Sequence, residues 1–187
     1  SYPYRGNVYG SGCGTDKYYT DLTNVQDPTD GNGDEYNPLA GIVQGNTTVN
    51  ISGGHVVHNV YGAGAMGSVG GGSGNSSGTT NVTITGKAQI GVDGEGNGNV
   101  YGAARGDQSV NEENYATVSS TTLEVSGDAD IKGSVFGGGS LGLVKGSTQV
   151  TISGGSVHQS VYGGGSEANV KGNTNVNMTD GYLFNGI

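Results

Sequence analysis

The 187-residue chain suits one domain, and 40 glycines beside only 3 prolines, with no Gly-X-Y period, exclude collagen. An apolar fraction of 32% is low for a globular chain and leaves either low-complexity disorder or a turn-rich β fold. Sixteen acidic against seven basic residues give a net charge of -9, which disfavours nucleic-acid binding, and no apolar run approaches the roughly 20 residues needed for membrane insertion.

The first predicted element is a six-residue motif, NVYGSG at 7–12, which recurs four times along the chain. The later copies of this aromatic motif are NVYGAG at 59–64, NVYGAA at 99–104, SVFGGG at 134–139 and SVYGGG at 160–165. Self-similar segments are typical of a stacked structural unit, whereas a catalytic motif normally occurs once per site. We therefore interpret the motif as a corner of a repeated architecture, with glycines that bend the chain.

Residues 1–42 are predicted to form an N-terminal coil with a long loop insertion from Ser11 to Ile42. This segment contains the single cysteine, Cys13, which cannot form a disulfide within the chain. We interpret Cys13 as a buried or incidental thiol, because free cysteine often behaves as a small hydrophobic residue. The alternative is a disulfide to another chain or to a further part of this one.

An acidic stretch in the same insertion, DPTDGNGDE, places Asp30, Asn32 and Asp34 at alternate positions. Calcium binds oxygen ligands of this kind, and an EF-hand loop begins with this spacing. The EF-hand pattern fails further on, because Glu35 stands where a glycine is expected and Gly41 where the last acid is expected. A structural calcium site at these three residues is the alternative to a solvated acidic loop, and no other cofactor is predicted.

Residues 43–187 are predicted to be stacked coils of one strand-containing unit. Apolar and polar residues alternate in five strand motifs, TVNIS, NVTIT, TLEVS, QVTIS and NVNMT, which places every second residue on a buried face. The last two units begin at Val144 and Val170 and superpose without a gap at a shift of 26 residues. A unit of that length holds two or three short strands. We therefore predict an all-β fold in one domain, a parallel β-helix (β-solenoid) of about five coils with equivalent strands about 4.8 Å apart.

Thr and Asn dominate the predicted outward positions of these strands, where stacked Asn amides can bond to one another. Ile152 is expected to point inward and Thr151 outward. An outward threonine array binding ice or mineral, with Thr48, Thr80 and Thr122, is a weaker alternative, because neighbouring copies carry too few aligned T-x-T triplets.

Insertions of decreasing length separate the copies: the spacing between aromatic residues falls from 52 to 40, 35 and 26 residues. Most of the extra length directly follows the aromatic motif, and equivalent positions in a solenoid lie on one flank. We expect these loops to cluster there, and loops on a rigid scaffold often bind partners. A smaller insertion at 91–99 interrupts the second strand copy at a different corner.

The closest carboxylate pair is Asp128 and Asp130, with Lys132 two residues on. Alternate residues of a strand share a face, so this geometry suits the clustered carboxylates of enzymes that cleave polysaccharides. Equivalent positions of the other copies add no acid, so catalysis here is the alternative interpretation. The histidines do not fall at one aligned position and are interpreted as outward or satisfied side chains: His55, His58 and His158.

The aromatic residues of the five motifs are expected to form one ladder: Tyr9, Tyr61, Tyr101, Phe136 and Tyr162. Inward or corner rings would stack along the axis and add roughly 0.5–1.5 kcal/mol per pair beyond burial. Outward rings would form a flat stripe that holds sugar rings. Stacking is the favoured interpretation.

The segments GNVYGSGCGTD, VVHNVYGAGAMGSV, NVYGAARGD and SVFGGGSLGLVKGSTQVTISGG together resemble the long glycine-rich repeat proteins of gut-dwelling Bacteroidota, which are described as surface or adhesin-like. The resemblance covers nearly the whole chain and supplies no catalytic residue. It implies a location outside the cell or on its surface, and a longer parent polypeptide.

The function expected from these patterns is that of a non-enzymatic stalk, fibre or adhesin segment at a bacterial surface, in contact with glycans or a host surface. The alternative is a carbohydrate-active β-helix that binds or cleaves polysaccharide. Ile187 corresponds to Val161 in the repeat. We therefore expect a fragment of a longer array, or coils that continue by head-to-tail self-association.

Overall fold

A computed structural model describes residues 6–14, 18–19, 34–35, 39–71, 77–108 and 113–184. These residues form an all-β structure in which the two main sheets are parallel and no segment is helical. The all-β class and the parallel pairing predicted from the sequence are thus confirmed. Within the described ranges there is no helix of the length and apolarity that a membrane crossing requires.

The first sheet contains the five aromatic motifs, paired in parallel and in chain order. Each motif contributes a two-residue strand, and valine lies opposite valine and ring opposite ring in every pair. The strands are β1 (Val8–Tyr9), β6 (Val60–Tyr61), β9 (Val100–Tyr101), β12 (Val135–Phe136) and β14 (Val161–Tyr162).

The second sheet contains the five strand motifs, also parallel and in chain order. These strands are β4 (Thr47–Ile51), β7 (Thr79–Ile84), β10 (Ser120–Val125), β13 (Thr148–Val157) and β15 (Thr174–Leu183). A second row of short strands joins the same sheet along the later part of β13: β5 (His55–Val56), β8 (Gln89–Ile90) and β11 (Asp130–Ile131). A separate antiparallel pair is formed by β2 (Tyr18–Tyr19) and β3 (Asp34–Glu35).

The main core lies between the two sheets and consists of in-register rows of aliphatic side chains. Val82, Leu123 and Val150 form one such row and are fully buried. Successive side chains of a strand point to opposite faces, so the alternating apolar residues of the first four strand motifs reach this core. Each fully buried aliphatic side chain contributes roughly 1.5–3 kcal/mol relative to exposure.

One threonine near the start of each of β4, β7, β10 and β13 is buried, although the sequence pattern placed threonine outward: Thr47, Thr80, Thr121 and Thr148. The hydroxyl groups of Thr47, Thr121 and Thr148 donate to glycine carbonyls of the aromatic motifs at 2.6, 2.5 and 2.5 Å, and Thr80 bonds to Gly102 in the same way. Thr48, Thr80 and Thr122 therefore do not share an outward row, because Thr80 pairs with Thr47 and Thr121 in the buried one. The proposed threonine array is wrong for this reason.

The first residue of the aromatic motif joins neighbouring copies through its side chain. The Oδ1 atoms of Asn7, Asn59 and Asn99 accept hydrogen bonds from the backbone N–H of the equivalent residue in the following copy, at 2.9, 2.9 and 2.7 Å. Ser134 continues the row with its hydroxyl, which accepts from Ser160 N at 3.3 Å. This asparagine row lies in the aromatic motifs and bonds to backbone, and is thus distinct from the amide-to-amide stacking expected at outward strand positions.

The glycine that follows each ring is required by close approach between copies and not by a left-handed turn. Gly62, Gly102 and Gly137 have no positive φ. A Cβ atom on Gly62 or Gly102 would overlap the carbonyl oxygen of the equivalent glycine in the next copy. Only glycine lets the backbones stack at strand spacing here.

The segments that follow the aromatic motifs fold back into a second apolar cluster. Its buried members are Ala63, Val69, Ala103, Ala104, Ala116, Val118 and Val144. Backbone hydrogen bonds join successive segments, for example Met66 N to Cys13 O at 2.9 Å and Ala116 N to Met66 O at 3.0 Å. The described parts of these insertions are therefore packed structure. Cys13 itself is exposed, so of the expected buried or incidental thiol only the incidental one agrees with the structure.

We predict that Ile152→Asp lowers the free energy of unfolding by on the order of 4 kcal/mol, because it places a carboxylate in a position that is 1% exposed. Thr151→Asp, on the opposite face of the same strand, should change it by only about 0.5 kcal/mol. Denaturant unfolding followed by circular dichroism measures both. Equal losses would contradict the assigned strand faces.

We also predict that Gly102→Ala destabilises the fold by at least about 2 kcal/mol, because its methyl group would collide with the Gly137 backbone and lie 3.0 Å from Thr121 Cβ. The matched control is Gly53→Ala, where the added methyl group meets no atom within 4 Å. That variant should be neutral or slightly stabilising, because alanine restricts the unfolded chain. Thermal unfolding compares the two, and similar melting temperatures would count against steric exclusion at Gly102.

Candidate functional site

The five predicted ladder residues lie in one continuous stack. Ring centroids are 5.1 Å apart between Tyr9 and Tyr61 and 4.9 Å apart in each of the three following pairs. Interplanar angles of 2–11° make the rings nearly parallel. Their spacing equals that of neighbouring strands, because each ring is carried on an in-register strand.

The central rings of the stack are closed to ligands. Tyr61, Tyr101 and Phe136 are 4%, 5% and 9% exposed, and each has a neighbouring ring on both faces. Burial, followed by the proximity of Tyr101, raises the pKa of the Tyr61 phenol well above its ordinary value, and burial raises that of Tyr101 as well. Both phenols therefore stay neutral. Tyr162 at the end of the stack is 48% exposed and is the ring with an open surface.

The predicted calcium ligands Asp30 and Asn32 lie outside the described residues, and only the backbone of Asp34, in β3, is described. Elsewhere in the described chain, no group of three or more His, Cys, Asp or Glu side chains could hold a metal ion.

A surface depression of about 390 Å³ lies where the second row of strands ends, and we call it the corner depression. It is open to solvent on one side. Its side chains come from three consecutive copies and include Asp128, Asp130, Lys132, Ser156, His158 and Tyr182.

Strand register brings these residues together. Asp130 in β11 lies opposite Ser156 in β13, which lies opposite Tyr182 in β15. His158 follows β13 and bonds through its backbone N–H to Ile131 O at 2.9 Å, which places it beside Lys132. The depression is thus formed by parallel pairing between copies that are distant in sequence.

Asp130 is the centre of the polar contacts. Its two carboxylate oxygens accept from Lys132 Nζ at 2.9 Å and from His158 Nε2 at 2.7 Å. Lys132 also contacts Asp93 Oδ1 at 3.1 Å. The Lys132 and Asp130 side chains are 13% and 27% exposed, so these ion pairs are partly shielded from water.

Sequence reasoning found the Asp128, Asp130 and Lys132 group but missed two partners. The expectation that no other copy adds an acid is wrong, because Asp93 from the small insertion reaches Lys132. His158, interpreted as an outward or satisfied side chain without a named partner, is bonded to Asp130. The position of His158 beside Lys132 could have been predicted, because alignment of IKG at 131–133 with VHQ at 157–159 places the two residues at equivalent positions. His55 lies elsewhere and donates to Gly91 O at 2.8 Å.

The ion pair of the corner depression fixes the charges of its two central groups. Burial raises the pKa of Asp130, but the hydrogen bonds from Lys132 and His158 outweigh it and hold the pKa below its usual value. The hydrogen bond to Asp130 raises the pKa of Lys132. Asp130 is therefore an anion and Lys132 a cation at neutral pH, and neither is poised to exchange a proton there.

We predict that Asp130→Asn lowers the free energy of unfolding by on the order of 1 kcal/mol at pH 7, because it removes a shielded ion pair. A carboxyl whose pKa is lowered by folding stabilises the native state above its unfolded pKa of about 3.9 and loses that contribution as pH falls through the native value. The difference in the free energy of unfolding between Asp130→Asn and the wild type should therefore decrease at acidic pH.

Denaturant unfolding at pH 7 and at pH 3 measures this difference, with Asp128→Asn as the matched control in the same loop. A difference that is independent of pH, or equal for both variants, would contradict the role of Asp130 in the ion pair.

Comparisons of the chain with protein-family models, with curated proteins and with solved structures give no significant match. The function is therefore inferred from the sequence and from the geometry of the described residues.

Proposed function

We propose that the chain is a segment of a β-solenoid with a structural and adhesive role outside a bacterial cell. Successive copies pass through both parallel sheets and return one strand further along, so each circuit forms one coil. Ring centroids 4.9 Å apart match the spacing of roughly 4.7–4.9 Å expected for parallel strands stacked along one axis. A solenoid of this kind is a rigid rod, because every coil packs against its neighbours.

Several interactions that hold the coils together run along the proposed axis. They include the aliphatic rows, the aromatic stack and the corner asparagine row. Such redundancy suits a stalk or fibre, whose task is to keep a fixed length and shape. The buried aromatic stack supports this role more than a binding role.

One observation carries the proposal: core positions are exposed on the coil that contains β15. Val176 and Met178 are 44% and 43% exposed, whereas their partners Val150 and Ile152 are buried. Among the described strands, β15 pairs only with β13. Its other edge therefore presents unpaired backbone and apolar rows with the spacing of a further coil.

We infer that another coil of the same template covers this edge, supplied by a second molecule head to tail or by a continuing repeat array. The resemblance to surface repeat proteins supports a location outside the cell or on its surface.

A second function, a carbohydrate-active β-helix, is favoured by the corner depression. Its Asp130 and His158 pair orients an imidazole, as in hydrolytic sites. Release of reducing ends or unsaturated sugars from polysaccharides, lost in Asp130→Ala, would favour this function over the structural one.

We predict that the purified protein associates end to end in a concentration-dependent manner. Replacing Val176 and Met178 together by lysine should weaken association at least about tenfold, because charges at the apolar rows oppose docking. The matched control replaces Asn175 and Asn177, on the opposite face of the same strand, by lysine and should retain most of the association. Sedimentation velocity measures the assembly state, and electron microscopy should show rods.

The result that would contradict this proposal is a wild-type protein that stays monomeric at every concentration, with a melting temperature equal to that of the Val176 and Met178 variant. The exposed side chains of Val176 and Met178 would then make no contact with another molecule.

A further inference from the structure

We propose that the corner depression is a binding subsite for a neutral sugar residue of a glycan, with Tyr182 as its stacking platform and Asp128 and Asp130 as its hydroxyl acceptors. This inference rests on the proposed adhesive function and assigns it a place on the molecule. The site recognises the sugar without cleaving it.

The shape and composition of the depression match a small carbohydrate site. Its volume of about 390 Å³ falls at the lower end of the range of roughly 300–1,000 Å³ typical of small-molecule sites. Tyr182 lines it and is 72% exposed, an unusual exposure for a large aromatic residue. A ring so placed offers an apolar face to the C–H face of a pyranose, and its hydroxyl remains available as a hydrogen-bond partner.

The polar side chains are held in fixed positions, which lowers the entropic cost of binding. Asp130 is fixed by Lys132 and His158, and the His158 ring stacks on Phe184 with centroids 4.7 Å apart. Each carboxylate accepts several hydrogen bonds, so Asp130 keeps lone pairs for sugar hydroxyls beyond these two contacts. A preorganised acceptor of this kind favours a ligand rich in hydroxyl donors.

The charges around the depression select against acidic ligands. The groups that face it or adjoin it are Asp93, Asp128 and Asp130 against Lys132 and His158. The ammonium group of Lys132 lies between two carboxylates, so its charge is already compensated. A uronate or phosphate would find no free cation there and would face a chain of net charge -9. A neutral hexose or N-acetylhexosamine residue experiences no such electrostatic repulsion.

The surface location agrees with this assignment. Tyr182 alternates with the apolar Leu183, which packs against the main core, so Tyr182 lies on the outer face of β15. The depression therefore opens to the side of the molecule and not toward the core.

The test uses isothermal titration calorimetry on the intact protein with mannohexaose, xylohexaose and the hexamer of N-acetylglucosamine, and with hexagalacturonate as the acidic probe. We expect at least one neutral oligosaccharide to bind with a Kd between about 10 μM and 1 mM and hexagalacturonate to bind at least about tenfold more weakly. Tyr182→Ala and Asp130→Asn should each weaken neutral binding about tenfold or more. Tyr162→Ala, which removes an exposed ring outside the depression, should leave the affinity unchanged.

Absence of binding by all three neutral probes, stronger binding of hexagalacturonate, or affinities that the Tyr182 and Asp130 variants leave unchanged would overturn the inference. Chain shortening of a bound probe, followed by chromatography, would overturn it in favour of the catalytic function. Sedimentation of the same samples separates the two proposals: assembled protein without sugar binding removes only this inference, whereas sugar binding by a permanent monomer supports it and removes the structural role.

Discussion

The register between parallel strands of successive copies is the constraint on which the rest of this structure depends. Once equivalent residues of successive copies lie one strand spacing apart, every position in the repeat must tolerate its own equivalent as a nearest neighbour. Aliphatic residues meet this demand by packing, tyrosines by stacking, and asparagine by bonding to the next backbone N–H. Glycine meets it by having no Cβ, as at Gly62 and Gly102. The Asn, Val, Tyr and Gly residues of the aromatic motif thus each allow equivalent residues of neighbouring copies to lie one strand spacing apart, in four different ways.

Much of this fold could be read from the sequence, because both of its signals are local. Alternation of Val and Ile with polar residues identifies the five strand motifs, and the recurring aromatic motif identifies the first sheet. The direction of a threonine side chain near the start of a strand is harder to predict. Thr80 looks like an outward threonine, yet it is buried because its hydroxyl finds the Gly102 carbonyl. The glycine-rich composition suggested that glycine occurs in turns. Several glycines of the aromatic motif are instead required because the backbones of neighbouring copies approach closely, and the local sequence does not reveal this contact.

The corner depression was only partly predictable for a related reason. Asp128, Asp130 and Lys132 are adjacent in sequence, so their grouping is visible without a structure. His158 and Tyr182 join them through strand register, and Asp93 joins through an insertion that follows no repeat. Alignment of the copies identifies neighbours that strand register brings together, such as His158 and Tyr182. The contact of Asp93 depends on the path of an irregular loop, which the periodicity of the sequence does not encode.

The direction of the hydrogen bonds has a mechanical consequence. Bonds between copies point from one copy to the next, so a force applied along that direction would load them one after another and not all together. Sheets loaded in this way peel apart bond by bond at modest force, whereas sheets pulled along their strands resist in shear. The side-chain contacts along the same direction, above all the ring stack and the asparagine row, are then what limits how far a copy separates before it closes again. Under sufficient load, a molecule built in this manner would separate one copy at a time.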